Sequence, residues 1–357
     1  MKFFTFLSMS CLVFLSGCFI EESIVDDISM ITVIGFDKEE EDKVLATISV
    51  PYYLSEIEVI NRVYETEGFF TKDAVDLGSS KSENPMVIAQ TEVIIFSKEL
   101  AEEGLFKYLD SYQRDPSIST RLFVAIAKEE SASLLRNQLP TNKDLGVTLG
   151  RLFRHNIEQN FLPKTNLHLY LFDYYQEGVD PVLPILTKEQ DAFVIDGIGF
   201  LKGDQLKGTI NFNYDTMVFR QLKESFDHGS FTFKVNDGEL ASVQNISSKK
   251  HVEVKEGSTP TIKIRVDMDG YMREYSGSGG TKKVINEIDK EMEKLLEARA
   301  KHILQQFEEW GVDPIGLGNE IRKTRKNWKE KEWENIYEKV NVEVEYNVTV
   351  KETGVIS

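Results

Sequence analysis

Apolar positions in this chain follow three spacings, each predicting a different kind of segment. The first is an unbroken run. Residues 3–15 are apolar apart from Thr5, Ser8, Ser10 and Cys11, with Lys2 ahead of them and Ser16, Gly17 and Cys18 behind. Such a run is shorter than the ~20 residues of a membrane-crossing helix and has the anatomy of a secretory leader. The second spacing, alternating or β-branched, predicts strands at 31–37 and 44–50 around the charged turn 38–42. It predicts further strands at 86–96, 122–127 and 340–350, and a hairpin of 192–200 and 205–211 around Leu201-Lys202-Gly203-Asp204. About five strands are expected over 230–275, with turns at Asn236-Asp237-Gly238, Gly257-Ser258 and Asp269-Gly270.

The third spacing, three and four, predicts helices. They cover 71–80, a segment capped by Ser97 with Leu100, Leu105, Tyr108 and Leu109 on one face, then 129–136, 146–158 and 214–225. Asp115-Pro116 stops the Ser97-capped helix. A long helix over 281–310 carries the stripe Ile285, Ile288, Met292, Leu295, Leu296, Ile303, Phe307 and Trp310, and another helix follows over about 319–333. Residues 167–175 read as helix or as an aromatic-rich extended piece, and 178–191, with Pro181 and Pro184, as a linker or a strand pair. Strands and helices do not alternate regularly. The expected class is therefore α+β and multidomain, with mixed, largely antiparallel sheets, packed helices and one long C-terminal amphipathic helix. The expected division is a leader (1–17), a tether (18–27), an N-terminal domain (28–116), a middle domain (117–191) and a C-terminal domain (192–357).

Leu15-Ser16-Gly17-Cys18 has the pattern of a bacterial lipobox, in which the cysteine receives diacylglycerol and becomes the first residue after cleavage. Cys18 is thus the expected lipid attachment site. Cys11 would leave with the leader, so the body would hold no thiol and rely on packing alone. A single acyl (palmitate-type) chain gives marginal membrane residence, and a diacylglyceryl group supplies two. The formal net charge of −17 becomes −18 once Lys2 is lost. That charge excludes a nucleic-acid partner, whose phosphates need a positive footprint, and also disfavours anionic headgroups.

No constellation predicts catalysis, metal or cofactor. The histidines His155, His168, His228, His251 and His302 lack ligand spacing. The run Ser276-Gly277-Ser278-Gly279-Gly280 reads as a loop with a helix cap. Asp313-Pro314-Ile315-Gly316-Leu317-Gly318 follows a helix and lacks a closing lysine, so it reads as a helix stop. Asp267-Met268-Asp269-Gly270 fails at both ends as a calcium loop and reads as a hairpin turn. One basic cluster stands out: Arg322, Lys323, Arg325, Lys326, Lys329 and Lys331. On a continuous helix Arg322, Arg325, Lys326 and Lys329 share a face, a candidate patch for a partner or for headgroups. A solvated helix face is the plainer alternative.

These residues together resemble the Ger(x)C-type spore germination lipoproteins. The similarity rests on the lipobox, on Val33-Ile34-Gly35-Phe36-Asp37, and on the segment 96–105 followed by Tyr108-Leu109-Asp110 and Arg114-Asp115-Pro116. It extends to Gly197-Ile198-Gly199-Phe200, the long charged helix, the 313–318 loop, Trp328 and Trp333. The resemblance implies a non-catalytic, lipid-anchored subunit of a nutrient germinant receptor on the outer face of the spore inner membrane. It implies assembly with two integral-membrane receptor subunits and a role in germination in response to nutrients. A solute-binding lipoprotein of a membrane transporter is the alternative from another class.

Overall fold

The computed structural model describes residues 27–351, apart from 56–57, 137–141, 160, 236–237, 256, 258–259, 278–281 and 326–327. Strands β1 (Ser29–Met30), β2 (Val33–Lys38), β3 (Val44–Ser55) and β4 (Glu58–Gly68) precede helix α1 (Thr71–Ser79). Then come β5 (Met86–Val87), β6 (Val93–Ser97), α2 (Lys98–Glu103), α3 (Phe106–Gln113), β7 (Phe123–Ala127), α4 (Ser131–Arg136), α5 (Leu145–Glu158) and α6 (Leu167–Tyr175). They are followed by β8 (Val182–Glu189), β9 (Ala192–Lys202), β10 (Gln205–Asn211), α7 (Tyr214–Lys223), β11 (Ser230–Lys234), β12 (Leu240–Lys255) and β13 (Thr261–Tyr275). Last are α8 (Lys282–Trp310), α9 (Leu317–Thr324), α10 (Glu330–Ile336), a 3-10 turn (Tyr337–Lys339) and β14 (Asn341–Lys351).

The larger sheet has the order β10-β9-β8-β7-β6-β2-β3-β4. Its middle strands β8, β7, β6 and β2 are parallel to one another, and antiparallel hairpins flank them on both sides. Strands from all three expected segments of the chain enter it. Runs such as Val93-Ile94-Ile95-Phe96 are apolar at every position because both faces are covered. Val33, Val93 and Ile95 point into a core shared with α4 and α5. Ile34, Phe36, Ile94 and Phe96 point into a second core under α1, α2, α3 and α6.

The smaller sheet, β11-β12-β13-β14, is antiparallel except that β14 lies parallel to β13. One of its faces packs on α8, which buries Ile288, Met292, Leu296, Ala300, Ile303 and Phe307. Side chains of this size each contribute about 1.5–3 kcal/mol when fully buried, alanine less. The two sheets meet at Phe200, whose ring lies 5.0 Å from Phe219, 4.8 Å from Phe307 and 5.8 Å from Trp310. Gly208 admits the Trp310 ring, since a Cβ there would stand 2.1 Å from Trp310 Cδ2.

Several expected elements differ. The strand expected over 86–96 is two strands, because a turn closes between Ile88 and Thr91. The helix expected after Ser97 is broken at Gly104, whose φ of +127° suits glycine, and Asp204 caps the helix that restarts. Residues 167–175 are helix, and 182–189 are a strand of the larger sheet. Strand β4 was not foreseen; it is an edge strand in which Glu58, Arg62 and Glu67 face solvent. Residues 230–275 hold three described strands, two of them long, rather than five. Asp269-Gly270 lies inside β13 and is not a turn. β12 bulges between Asn245 and Ser247 opposite this point, and a Cβ on Gly270 would come within 2.8 Å of Val243. The glycine therefore serves close strand approach at a bulge.

Candidate interaction surfaces

Two of the motifs that carry the resemblance hold buried carboxylates at helix starts, Asp37 and Asp313, and other aspartates join neighbouring segments. Gly35 brings β2 close to α4, since a Cβ there would stand 2.5 Å from Ser131 Oγ. Two residues on, Asp37 accepts from Ser131 N (2.7 Å), Ser131 Oγ (2.7 Å) and Ala132 N (2.8 Å), capping α4 from another strand. Burial raises the Asp37 carboxyl above its ordinary value, against the pull of those three donors. Asp204 receives Phe106 N at 3.0 Å. Asp115 accepts from Ser117 N and Oγ and pairs with Lys72; that lysine first, then the serine, holds it down at about 2.

The 313–318 loop is an anion cradle filled from within. Asp313 Oδ1 accepts from Leu317 N (2.9 Å) and Oδ2 from Gly318 N (2.7 Å), which occupies the start of α9. Asp180 Oδ2 takes Asp313 N at 2.7 Å and lies 3.3 Å from Lys202 Nζ, while Asp180 Oδ1 takes Gly203 N at 3.1 Å. Burial, with the Asp180 charge adding to it, pushes Asp313 up to about 7 despite its two amide donors. Gly316 sits at φ +76°, and Gly318 lies where a Cβ would meet the Trp333 ring nitrogen at 2.6 Å. This junction ties the start of β8, the β9–β10 turn and α9 together. The cross-chain partners were invisible in the sequence; the only signal was an aspartate beside glycines.

Cys18 and Lys326 lie outside the described residues. The rest of the basic cluster does not form one helix face, because α9 ends at Thr324 and α10 begins at Glu330. Arg322 donates to Asn319, Lys323 pairs with Glu320 (2.7 Å), Arg325 donates to the Gly257 carbonyl, and Lys329 stands 3.5 Å from Glu332. The expected single helix over 319–333 is thus corrected to two, and the cations are spread over both and the link between them.

Among the described residues no group of three or more His, Cys, Asp or Glu is placed to hold a metal ion, and no helix is long and apolar enough to cross a membrane. The histidines sit on separate elements; His251 contacts Asp267 and His228 contacts Asp227. A groove of about 680 Å³ runs between α8 and the start of β14, lined by Lys301, Leu304, Gln305, Tyr337, Val342 and Val344 among others. Lys294, Glu297 and Glu308 also line it. Exposed apolar groups concentrate instead at the outer end of the β3–β4 hairpin (Tyr53, Leu54, Ile60), at Phe69-Phe70 with Leu77, and at Phe172 and Tyr175 of α6.

Known proteins resemble this chain over nearly its whole length. Residues 21–188 match the family described as spore germination protein N-terminal domain, and residues 196–354 that described as spore germination B3/GerAC like, C-terminal. Spore germination protein GerQC of Bacillus cereus is 27% identical over 359 residues, covering 99% of each chain. Spore germination protein KC of Bacillus subtilis (strain 168) is 22% identical, over 98% of this chain and 95% of the other. The crystal structure of the GerBC protein superposes with a TM-score of 0.59 at 16% identity, covering 89% of this chain and 96% of that one, which shows a common fold.

Proposed function

The chain belongs to the GerAC-like family of spore germination proteins, and from that premise we propose that it is the lipid-anchored accessory subunit of a germinant receptor, working by contact rather than turnover. The observation that carries this reading is the pair of adjoining family matches, which together run from residue 21 to residue 354. In this reading Cys18 bears diacylglycerol, and the body sits on the outer face of the spore inner membrane. Its partners are two integral-membrane receptor subunits. The segments 28–116, 117–191 and 192–357 work as one body joined through the larger sheet, with the long helix α8 belonging to the last. Arg322, Lys323, Arg325, Lys326 and Lys329 form a second contact region, which meets an acidic partner surface or headgroups.

Cross-linking in intact spore membranes tests the assignment, with two integral-membrane subunits as the expected captures. Recovery of a transporter alone would favour a solute-binding lipoprotein. Cys18→Ala is expected to leave the fold intact and move the protein from the membrane to the soluble fraction. Retention of that variant on membranes in high salt would exclude the lipid as anchor. Reversal of Lys323, Lys326 and Lys329 to Glu is expected to weaken capture of the partner or binding to anionic vesicles, and unchanged binding would reduce the cluster to a solvated surface.

A further inference from the structure

Strand β3 pairs with β2 only as far as Ser49, opposite Val33. Beyond that point β3 and β4 continue as a two-stranded ribbon, paired through Tyr52–Ile60 and Tyr53–Val59 to Ser55–Glu58. The six residues Val50–Ser55 give it a length of about 20 Å at the usual rise per residue. Both faces are braced. On one, Tyr52 shares a hydrogen bond with Tyr64 at 3.1 Å and lies 3.9 Å under the Arg62 guanidinium. On the other, Asn61 accepts from Leu145 N and donates to the Lys143 carbonyl, and Tyr53 donates to Asp144 at 3.1 Å. A ribbon so held is positioned, yet its outer part carries large apolar groups in water: Tyr53 is 66% exposed, Leu54 58% and Ile60 48%.

The N-terminal end of the described chain lies at this same place. Ser29 stands beside the Tyr52 phenol and bonds Ser82 at 3.0 Å. Asp27 is two residues earlier, and nine residue steps separate it from Cys18. Even fully extended, nine steps reach only about 30 Å. A lipid at Cys18 therefore keeps the bilayer surface within about 30 Å of Asp27, at the end of the molecule where the ribbon projects.

We propose that the outer end of the β3–β4 ribbon, through Tyr53, Leu54 and Ile60, dips into the headgroup–acyl boundary and fixes the orientation of the tethered body. This rests on the lipid-anchored reading above. Tyrosine beside aliphatic side chains suits that boundary, where an apolar ring and a hydroxyl are both accommodated. Glu58 at the outer end of the ribbon and the net negative charge of the chain make the surface fit a zwitterionic membrane rather than an anionic one. The lipid holds the protein, and the ribbon decides which way it faces.

The test uses the lipidated full chain with Cys18 acylated and Leu54→Cys as its free thiol, carrying an environment-sensitive fluorophore. A parallel Phe70→Cys preparation marks the opposite end of β4. Both are bound to vesicles of phosphatidylcholine and phosphatidylethanolamine, and flotation is scored first. The expected result is flotation of both, with a blue shift and loss of emission to lipid-borne quenchers at position 54 only. Flotation with position 54 as open to aqueous quencher as position 70 overturns the ribbon contact and leaves the anchor standing. Shielding of position 54 from both quenchers, in vesicles holding partner subunits, also overturns it and assigns the ribbon to a protein contact. Failure to float overturns the anchor, and the ribbon contact falls with it.

Discussion

Single carboxylates do much of the joining in this molecule, and their effects are measurable one at a time. Asp37→Ala removes the acceptor for two backbone amides and one hydroxyl in a buried place. The expected loss is about 2–3 kcal/mol, read by denaturant unfolding of a soluble Cys18→Ala background. Asp313 gives a pH signature. Its folded value is raised to about 7, against ~3.9 for an unfolded aspartate. A raised acid favours folding most fully below the unfolded value, and that contribution is lost as pH rises through about 7. Wild-type protein is therefore expected to lose stability between about pH 4 and about pH 7, and Asp313→Asn to flatten that slope in thermal melts. The importance of these residues was legible as a pattern: Gly35 with Asp37, Gly316 and Gly318 with Asp313. Their job was not. Ser131 lies far along the chain from Asp37, and Asp180 farther still from Asp313, so no local spacing could connect them.

Elements show where pattern suffices and where neighbours override it. The alternation of β14 and the stripe of α8 were readable because each buries one face, and period alone reports that. What lies at the edge of β14 was not readable. Asp289, Glu293 and Glu297, four apart on α8, accept the outward amides of Val350, Val348 and Tyr346 at 2.9, 3.0 and 3.1 Å. In sequence they resemble any solvated acidic shoulder. In the fold they occupy donors that would otherwise invite another strand. Glu293→Ala is expected to cost about 1 kcal/mol and to speed hydrogen exchange at the Val348 amide, with Val344 unaffected. Asp-Gly at 269–270 misled for a related reason. The dipeptide is a turn signal when chain direction changes, and here the glycine answers a bulge on the neighbouring strand. The basic cluster misled because charge periodicity continues through 324–330 while the backbone helix does not.

At the scale of the whole molecule, one apolar core runs from the parallel strands of the larger sheet to the inner face of the smaller one. Phe200 sits at the crossing, in ring contact with α7 and α8. Phe200→Ala is expected to lower stability by about 3–5 kcal/mol and to loosen both sheets together, seen as a lower melting temperature with hydrogen exchange accelerated on β9 and β13 alike. The helices and strands on either side were predictable; their union was not, because sheet order depends on contacts between segments far apart in sequence. The parallel pairing of β13 with β14 has its own consequence. β13 ends at Tyr275 and its outer neighbour begins at Asn341, so the intervening helices must be made before that pairing can form. A chain still being synthesised would hold an unfinished hydrophobic sheet until β14 emerged. Emergence of residues 341–351 would then act as the timer for maturation, and a product cut short before residue 341 would expose the flank of β13 and invite self-association in place of assembly.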